Sequence, residues 1–244
     1  MAFRYSPKIV TNGLVFLMDF KNKKSYSGSG STTTDIINQK SGTVANGATY
    51  DGNLGFEFDG LDDQINLGSI PSTDPLSLPA TTGAGMTFDI WMNATSGGDS
   101  FQRIIDKSNG GSAANGFAVT RPNSNTSAGF ELYLGGRQRF TTSTTNYYTF
   151  GNWVNITVSC DVVNQLNDFR SVGYVNGSQI LTDNRTNASV SDPTTTTNCK
   201  IATWNHSTGR EFKGTIGRIG VYNRVLTPTE ILQNHNEIKL RFGL

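Results

Sequence analysis

The side chains best suited to chemistry in this sequence are acids. Glu57, Phe58 and Asp59 run together and are followed by Asp62 and Asp63. On a strand, Glu57 and Asp59 project from one face and Phe56 and Phe58 from the other, the arrangement that glycoside hydrolysis by paired carboxylates requires. The next acid at a useful spacing is Asp62. It lies beyond Gly60 and is one methylene shorter than a glutamate, so the run is not read as a catalytic centre. Asp59, Asp62 and Asp63 also place several hard oxygen donors in one Gly-containing turn. Ca²⁺ prefers such donors, with backbone carbonyls completing its shell, and it is the one cofactor the sequence suggests. The alternative is that these carboxylates cap the turn by accepting backbone N–H groups.

Aromatic residues in loops form the second set. Trp204 with His206 and Arg210, and the pair Tyr147 and Tyr148, are candidate ligand-binding residues. A ring offers apolar area and a stacking face to a sugar or a protein surface, although core packing accounts for the same residues equally well. His206 and His235 make no conventional zinc site, because there is no His-x-x-x-His pair and Cys160 and Cys199 lie far apart in the sequence. His235 is expected as a packed residue on a helix stripe. No Gly-x-Ser-x-Gly elbow and no phosphate-cradling Gly-x-x-x-x-Gly-Lys occurs. Lys21, Lys23 and Lys24 are read as a solvated loop. Two cysteines are too few for a disulfide scaffold and are expected as thiols, with Cys160 facing the core.

The elements that must position these residues are strands. The 244 residues carry a formal net charge of +1, with 16% charged and 35% hydrophobic residues and 27 glycines. That balance excludes a polybasic nucleic-acid tail and an acidic disordered tail, and Gly with Ser, Thr and Asn favours strands and turns over helices. No apolar run approaches the ~18 residues of a membrane span, and no secretory leader is read at the start. Met86, Phe88, Ile90 and Met92 alternate with Thr87, Asp89, Trp91 and Asn93, as do Val154, Ile156, Val158 and Cys160 with their neighbours. Residues 14–20 are almost continuously apolar and should be covered on both faces or lie mid-sheet. Further strands are expected at 55–58, 64–67, 103–106, 117–120, 130–134, 137–141, 172–175, 178–181, 200–203 and 215–222, with 28–34 as loop. Asn176-Gly177 between apolar runs signals a type I′ hairpin. One helix is predicted over 227–240, opened by the capping box Thr227-Pro228-Thr229-Glu230, with Ile231, Leu232, His235, Ile238 and Phe242 as its apolar stripe against the sandwich edge. The whole chain, 1–244, then reads as one all-β domain, a two-sheet antiparallel jelly-roll sandwich with an N-terminal arm over 1–10.

Several segments resemble a known family. Ile9-Val10-Thr11-Asn12-Gly13-Leu14-Val15 leading to Asp19, then Lys24-Ser25-Tyr26-Ser27-Gly28-Ser29-Gly30, then Phe58-Asp59-Gly60-Leu61-Asp62-Asp63, and at the end Phe212-Lys213-Gly214-Thr215-Ile216-Gly217-Arg218-Ile219 through Tyr222-Asn223-Arg224-Val225-Leu226-Thr227 to Glu230-Ile231 and the closing Arg241-Phe242-Gly243-Leu244, are similar to the laminin-G-like, concanavalin-A-like domains common in tailed-phage virion proteins. The resemblance implies a jelly roll without catalysis. It further implies a non-enzymatic virion structural protein, decorating a capsid or associated with a tail, made in the host cytoplasm and located in the virion. Its expected partners are other virion proteins and further copies of itself in a homo-oligomer, with a cell-surface glycan where it serves adhesion, and no nucleic acid or membrane insertion. A carbohydrate-binding lectin-like module is the alternative function and a glycoside hydrolase the second. Apolar side chains at both ends, Phe3 and Tyr5 and then Leu240, Phe242 and Leu244, are expected either to reach a neighbouring subunit or to fold back on the sandwich.

Overall fold

The computed structural model describes residues 8–78, 80–110, 115–124, 126–142, 145–164, 168–186 and 194–244. Two antiparallel sheets pack face to face. The first contains β1 (Leu14–Asp19), β4 (Thr49–Tyr50), β5 (Phe56–Asp59), β7 (Gly85–Ala94), β12 (Val154–Asn164), β13 (Asp168–Val175), β14 (Ser178–Arg185) and β16 (Lys213–Tyr222). The second contains β2 (Thr32–Thr34), β3 (Ser41–Ala45), β6 (Gln64–Ile70), β8 (Arg103–Lys107), β9 (Phe117–Thr120), β10 (Glu131–Leu134), β11 (Arg137–Thr141) and β15 (Thr197–Ile201). The first runs β14-β13-β12-β7-β16-β5-β4 and the second β11-β10-β9-β8-β15-β6-β3-β2.

Alternation in the sequence becomes register in the sheet. Met86, Phe88, Ile90 and Met92 of β7 stand opposite Cys160, Val158, Ile156 and Val154 of β12, and all eight point into the core. Cys160 and Cys199 are both buried free thiols. The apolar segment at 14–19 is buried on both faces without lying mid-sheet. β16 offers one edge to two strands, pairing Lys213 to Ile216 with β5 and the stretch from Arg218 to Tyr222 with β1.

Short polar strands escape the sequence pattern. The segment 28–34, expected as loop, contains β2, which pairs with β3 through Thr32 and Thr43 and carries no apolar alternation to reveal it. The strand expected at 200–203 is shifted to Thr197–Ile201. Ala202 ends it by adopting a left-handed backbone with φ 69°, which turns the chain out of the ladder. Asn176 and Gly177 take positive φ values of 50° and 77° in the expected hairpin.

Helix α1 (Pro228–Ile238) begins as predicted. The Thr227 side chain accepts from the Glu230 backbone N–H, the Glu230 carboxylate accepts from the Thr227 backbone N–H, and Arg224 closes a bidentate pair on Glu230 at 2.9 and 2.6 Å. Two expectations about this helix are corrected. Leu232 is 45% exposed, and Asn234 replaces it in the buried stripe, because Asn234 Oδ1 accepts from the Val10 N–H and its amide donates to the Tyr222 hydroxyl. The helix also covers the outer face of the first sheet and not the sandwich edge, since that face presents Trp91 and needs an apolar cover. The Trp91 ring stacks on His235 at 5.4 Å and on Phe242 at 4.7 Å, so His235 is a packing residue as expected. Phe242 reaches the sheet over Gly217, where a side chain would collide with its ring.

At both ends the described residues fold back. The arm over 8–10 is tied down through the Lys8 carbonyl, which accepts from Gln233, and the Val10 carbonyl, which accepts from Tyr222. Phe242 is buried, while Leu240 and Leu244 are exposed. Phe3 and Tyr5 lie outside the described residues.

Two outcomes follow from this packing. Ile231→Asp places a charge in an enclosed site and is expected to cost about 3 kcal/mol, whereas Leu232→Asp is expected to be nearly silent in urea unfolding. Glu230 has its carboxyl held down at about 2 by Arg224 and the Thr227 donors. A folded pKa below the unfolded one gives stability that is complete above the ordinary carboxylate range and is lost as pH falls toward 2. Glu230→Gln is therefore expected to cost about 1 kcal/mol at pH 7 and to flatten the acid limb of the stability curve.

Candidate functional site

With α1 seated on the first sheet, the second sheet keeps its outer face. β8, β9 and β10 cross its middle, and their outward residues are polar yet buried. Arg103 of β8 stands opposite Thr120 of β9, which stands opposite Glu131 of β10, so the three share a face. Tyr133 lies two residues beyond Glu131 on the same side. Between Arg103 and Ile105 the register slips by one residue, a bulge. In a regular strand residues i and i+3 point to opposite faces. The bulge returns Asp106 to the side of Arg103, where its Oδ2 lies 3.0 Å from the Arg103 Nε.

The charges of this face are unevenly satisfied. Glu131 accepts from the Thr141 hydroxyl at 2.9 Å and the Gln138 amide at 3.0 Å, with the Thr120 hydroxyl at 3.5 Å. Asp106 accepts from the Ser108 hydroxyl at 2.6 Å, and burial pushes its carboxyl up to about 6 against the pull of Arg103. Arg103 is 0% exposed, and neither terminal nitrogen of its guanidinium has a hydrogen-bond partner among the described residues. Burial lowers its pKa, and neighbouring Arg210 adds to the effect. The Arg103 guanidinium carbon lies 5.8 Å from the centre of the Tyr133 ring and 5.9 Å from that of Trp204.

The loop over 203–211 brings the sequence-predicted residues to this face. It is closed at its base, where the Phe212 N–H donates to the Ala202 carbonyl and the Arg103 N–H to the Arg210 carbonyl. Trp204 is half-buried, with the Arg210 guanidinium 4.2 Å from its ring centre and the exposed His206 ring at 5.5 Å. Arg210 also faces the Phe101 ring at 5.3 Å. Glu211 is buried beside them, accepting from the Gly209 and Arg210 N–H groups, and burial raises its pKa. Trp204, His206 and Arg210 are thus brought together in one loop.

The other candidates lie apart. Tyr148 is corrected from ligand residue to packing residue: its hydroxyl donates to the Gly129 carbonyl and its ring meets Phe150 edge-on at 5.9 Å. Tyr147 is half-exposed, and its N–H is tied to the Ala128 carbonyl. Asp59 Oδ1 accepts from the Leu61 N–H and Asp63 Oδ2 from the Asp59 N–H, so both carboxylates cap the turn. Asp59, Asp62 and Asp63 also bring an oxygen each within 4.8 Å of one another, a spacing at which they could share a cation, and Asp63 Oδ1 is buried without a partner. Glu57 is exposed on β5, in the first sheet, away from the polar face.

Sequence reasoning missed Arg103, Asp106, Tyr133, Glu131 and Glu211. The legible signal was Arg-Ile-Ile-Asp at 103–106, whose two charges break strict alternation inside a strand and announce a bulge.

Comparisons with known proteins agree with the fold. Trypanosoma rangeli sialidase in complex with sialic acid superposes with a TM-score of 0.64 at 14% identity, covering 97% of this chain and 35% of that one. A mutant of the same sialidase displaying trans-sialidase activity gives 0.64 at 15%, covering 95% and 34%. The Ruminococcus gnavus IT-sialidase CBM40 bound to alpha2,3 sialyllactose gives 0.50 at 22%, covering 74% of this chain and 95% of the module. The chain spans about a third of the length of the sialidases, and at these identities the likeness is one of fold. No curated protein matches the sequence.

These findings correct the expected virion structural role. Among the proteins alike in fold are sialidases and a carbohydrate-binding module, and the carbohydrate-binding alternative fits these better than a capsid or tail component does. Over residues 59–232, from the end of β5 to the second turn of α1, the sequence matches the laminin-G type, and the chain belongs to the concanavalin A-like lectin/glucanases superfamily.

Proposed function

We propose that this chain binds carbohydrate on the outer face of its second sheet and does not turn it over. The observation that carries the reading is the buried polar field on that face, with Arg103, Tyr133, Trp204 and Arg210 gathered where the loop over 203–211 meets β8. Sugar sites combine ring surfaces with a few fixed polar groups, and the field supplies both. On the first sheet, the outward Trp91 is covered by His235 of α1 and by Phe242. The module of similar fold that is bound to sialyllactose supports carbohydrate as the ligand class.

The absence of turnover rests on the acids. Glu57 and Asp59 are exposed on β5, and Asp59 is engaged in its own turn. On the polar face Glu131 is held by its hydroxyl and amide donors, and Glu211 by two backbone N–H groups of its own loop.

An array of immobilised glycans probed with the full chain is the direct test. Binding is expected to survive Glu57→Gln and Tyr147→Ala and to fall about tenfold, or 1.4 kcal/mol, in Trp204→Ala. Incubation with the bound glycan is expected to release no reducing sugar. Release that disappears with a carboxylate substitution would replace the binding reading with hydrolysis.

A further inference from the structure

Two guanidinium groups stand at the centre of the polar face, and one of them, that of Arg103, has buried terminal nitrogens without a hydrogen-bond partner among the described residues. Arg103 has one carboxylate neighbour, Asp106, which meets only its Nε and leaves the terminal fork without partners. Arg210 forms no ion pair among the described residues. Its guanidinium is held by two rings, Trp204 and Phe101. Both guanidinium groups converge on the one indole of Trp204, at 5.9 and 4.2 Å, although like charges oppose such an approach. Of the acids nearby, Glu131 already has donors in Thr141 and Gln138, and Glu211, with Asp99 beside it, in the Gly209 and Arg210 backbone.

Resting on the carbohydrate reading above, we infer that the site selects an anionic sugar, whose acidic group is taken by the guanidinium groups of Arg210 and Arg103. A neutral sugar uses a ring as a stacking platform. Here the Trp204 and Tyr133 rings also meet cations, so besides apolar surface they hold positive charge in place. A guanidinium fork matches the paired oxygens of a carboxylate or a sulfate, and in a buried setting such charge-assisted bonds are the strong ones. Arg210, half-buried, meets the incoming group first. Arg103, fully buried, is reached when the Arg210–Trp204 stack gives way, which moves a charge off the indole and alters its fluorescence.

The test uses three matched probes on the full chain, lactose, sialyllactose and sulfated lactose, titrated by calorimetry with tryptophan emission recorded in parallel. The acidic probes are expected to bind at least tenfold more tightly than lactose and to change the emission, and the carboxylated and sulfated arms identify which acidic group is preferred. Arg210→Gln is expected to weaken the acidic probes at least tenfold more than lactose, and Arg103→Lys, which keeps the charge but loses the fork, to shift the balance in the same direction. Should Arg103→Lys fail to fold, the exposed-side variant Arg210→Gln decides alone. Equal binding of lactose and the acidic probes overturns the inference and leaves carbohydrate binding intact, as does an equal loss for all three in Arg210→Gln. Absence of binding to these probes and to the wider glycan array overturns both.

Discussion

The buried pair between Asp89 and Arg218 is the interaction on which the rest of this structure depends. Its oxygen and nitrogen lie 2.7 Å apart with both side chains enclosed between the first sheet and the elements laid over it. Asn155 and Thr157 donate to the other oxygen of Asp89, at 2.6 and 3.2 Å, so the pair locks β7, β12 and β16 together across their shared outer face. Such a pair adds little net stability against an apolar replacement, but removing one partner strands a charge at a cost of about 3 to 5 kcal/mol. It therefore fixes which residues may lie above it. Trp91 beside it must be covered by rings, and His235 and Phe242 supply them. The middle of one outer face of the sandwich is thus covered by the chain's own C-terminal segment.

The sequence made the regular parts of this arrangement legible. Strict alternation at 86–93 and 154–160 gave both the strands and the direction of each side chain, because a two-residue period leaves no freedom once one face is apolar. The capping box was equally readable, since Thr227, Pro228 and Glu230 act within one turn. What stayed hidden was long-range. Asn234 is buried only because the chain start and Tyr222 arrive to bond it. β2 and β4 exist only through their partners β3 and β5.

The candidate site was half legible for the same reason. Trp204, His206 and Arg210 are near in sequence and share a loop, so composition pointed to them. Arg103 is a hundred residues away and joins them through the bulge in β8 and the backbone bond from its N–H to Arg210. Tyr148 shows the reverse error: its neighbour Tyr147 and the polar stretch around it looked like a loop tip, yet its hydroxyl reaches Gly129 and its ring joins the core margin.

Ala202 bears on how that site behaves before anything binds. A left-handed alanine is held against its own preference, here by the Ile104 carbonyl that accepts from its N–H and by the Phe212 N–H that donates to its carbonyl. Those two bonds pin both feet of the loop to β8 and to the entrance of β16. The feet are therefore set in advance, and on the proposed reading a ligand would have only the tip between them to order. Less conformational freedom remains to be surrendered on association, so contacts made near the feet count almost fully toward affinity.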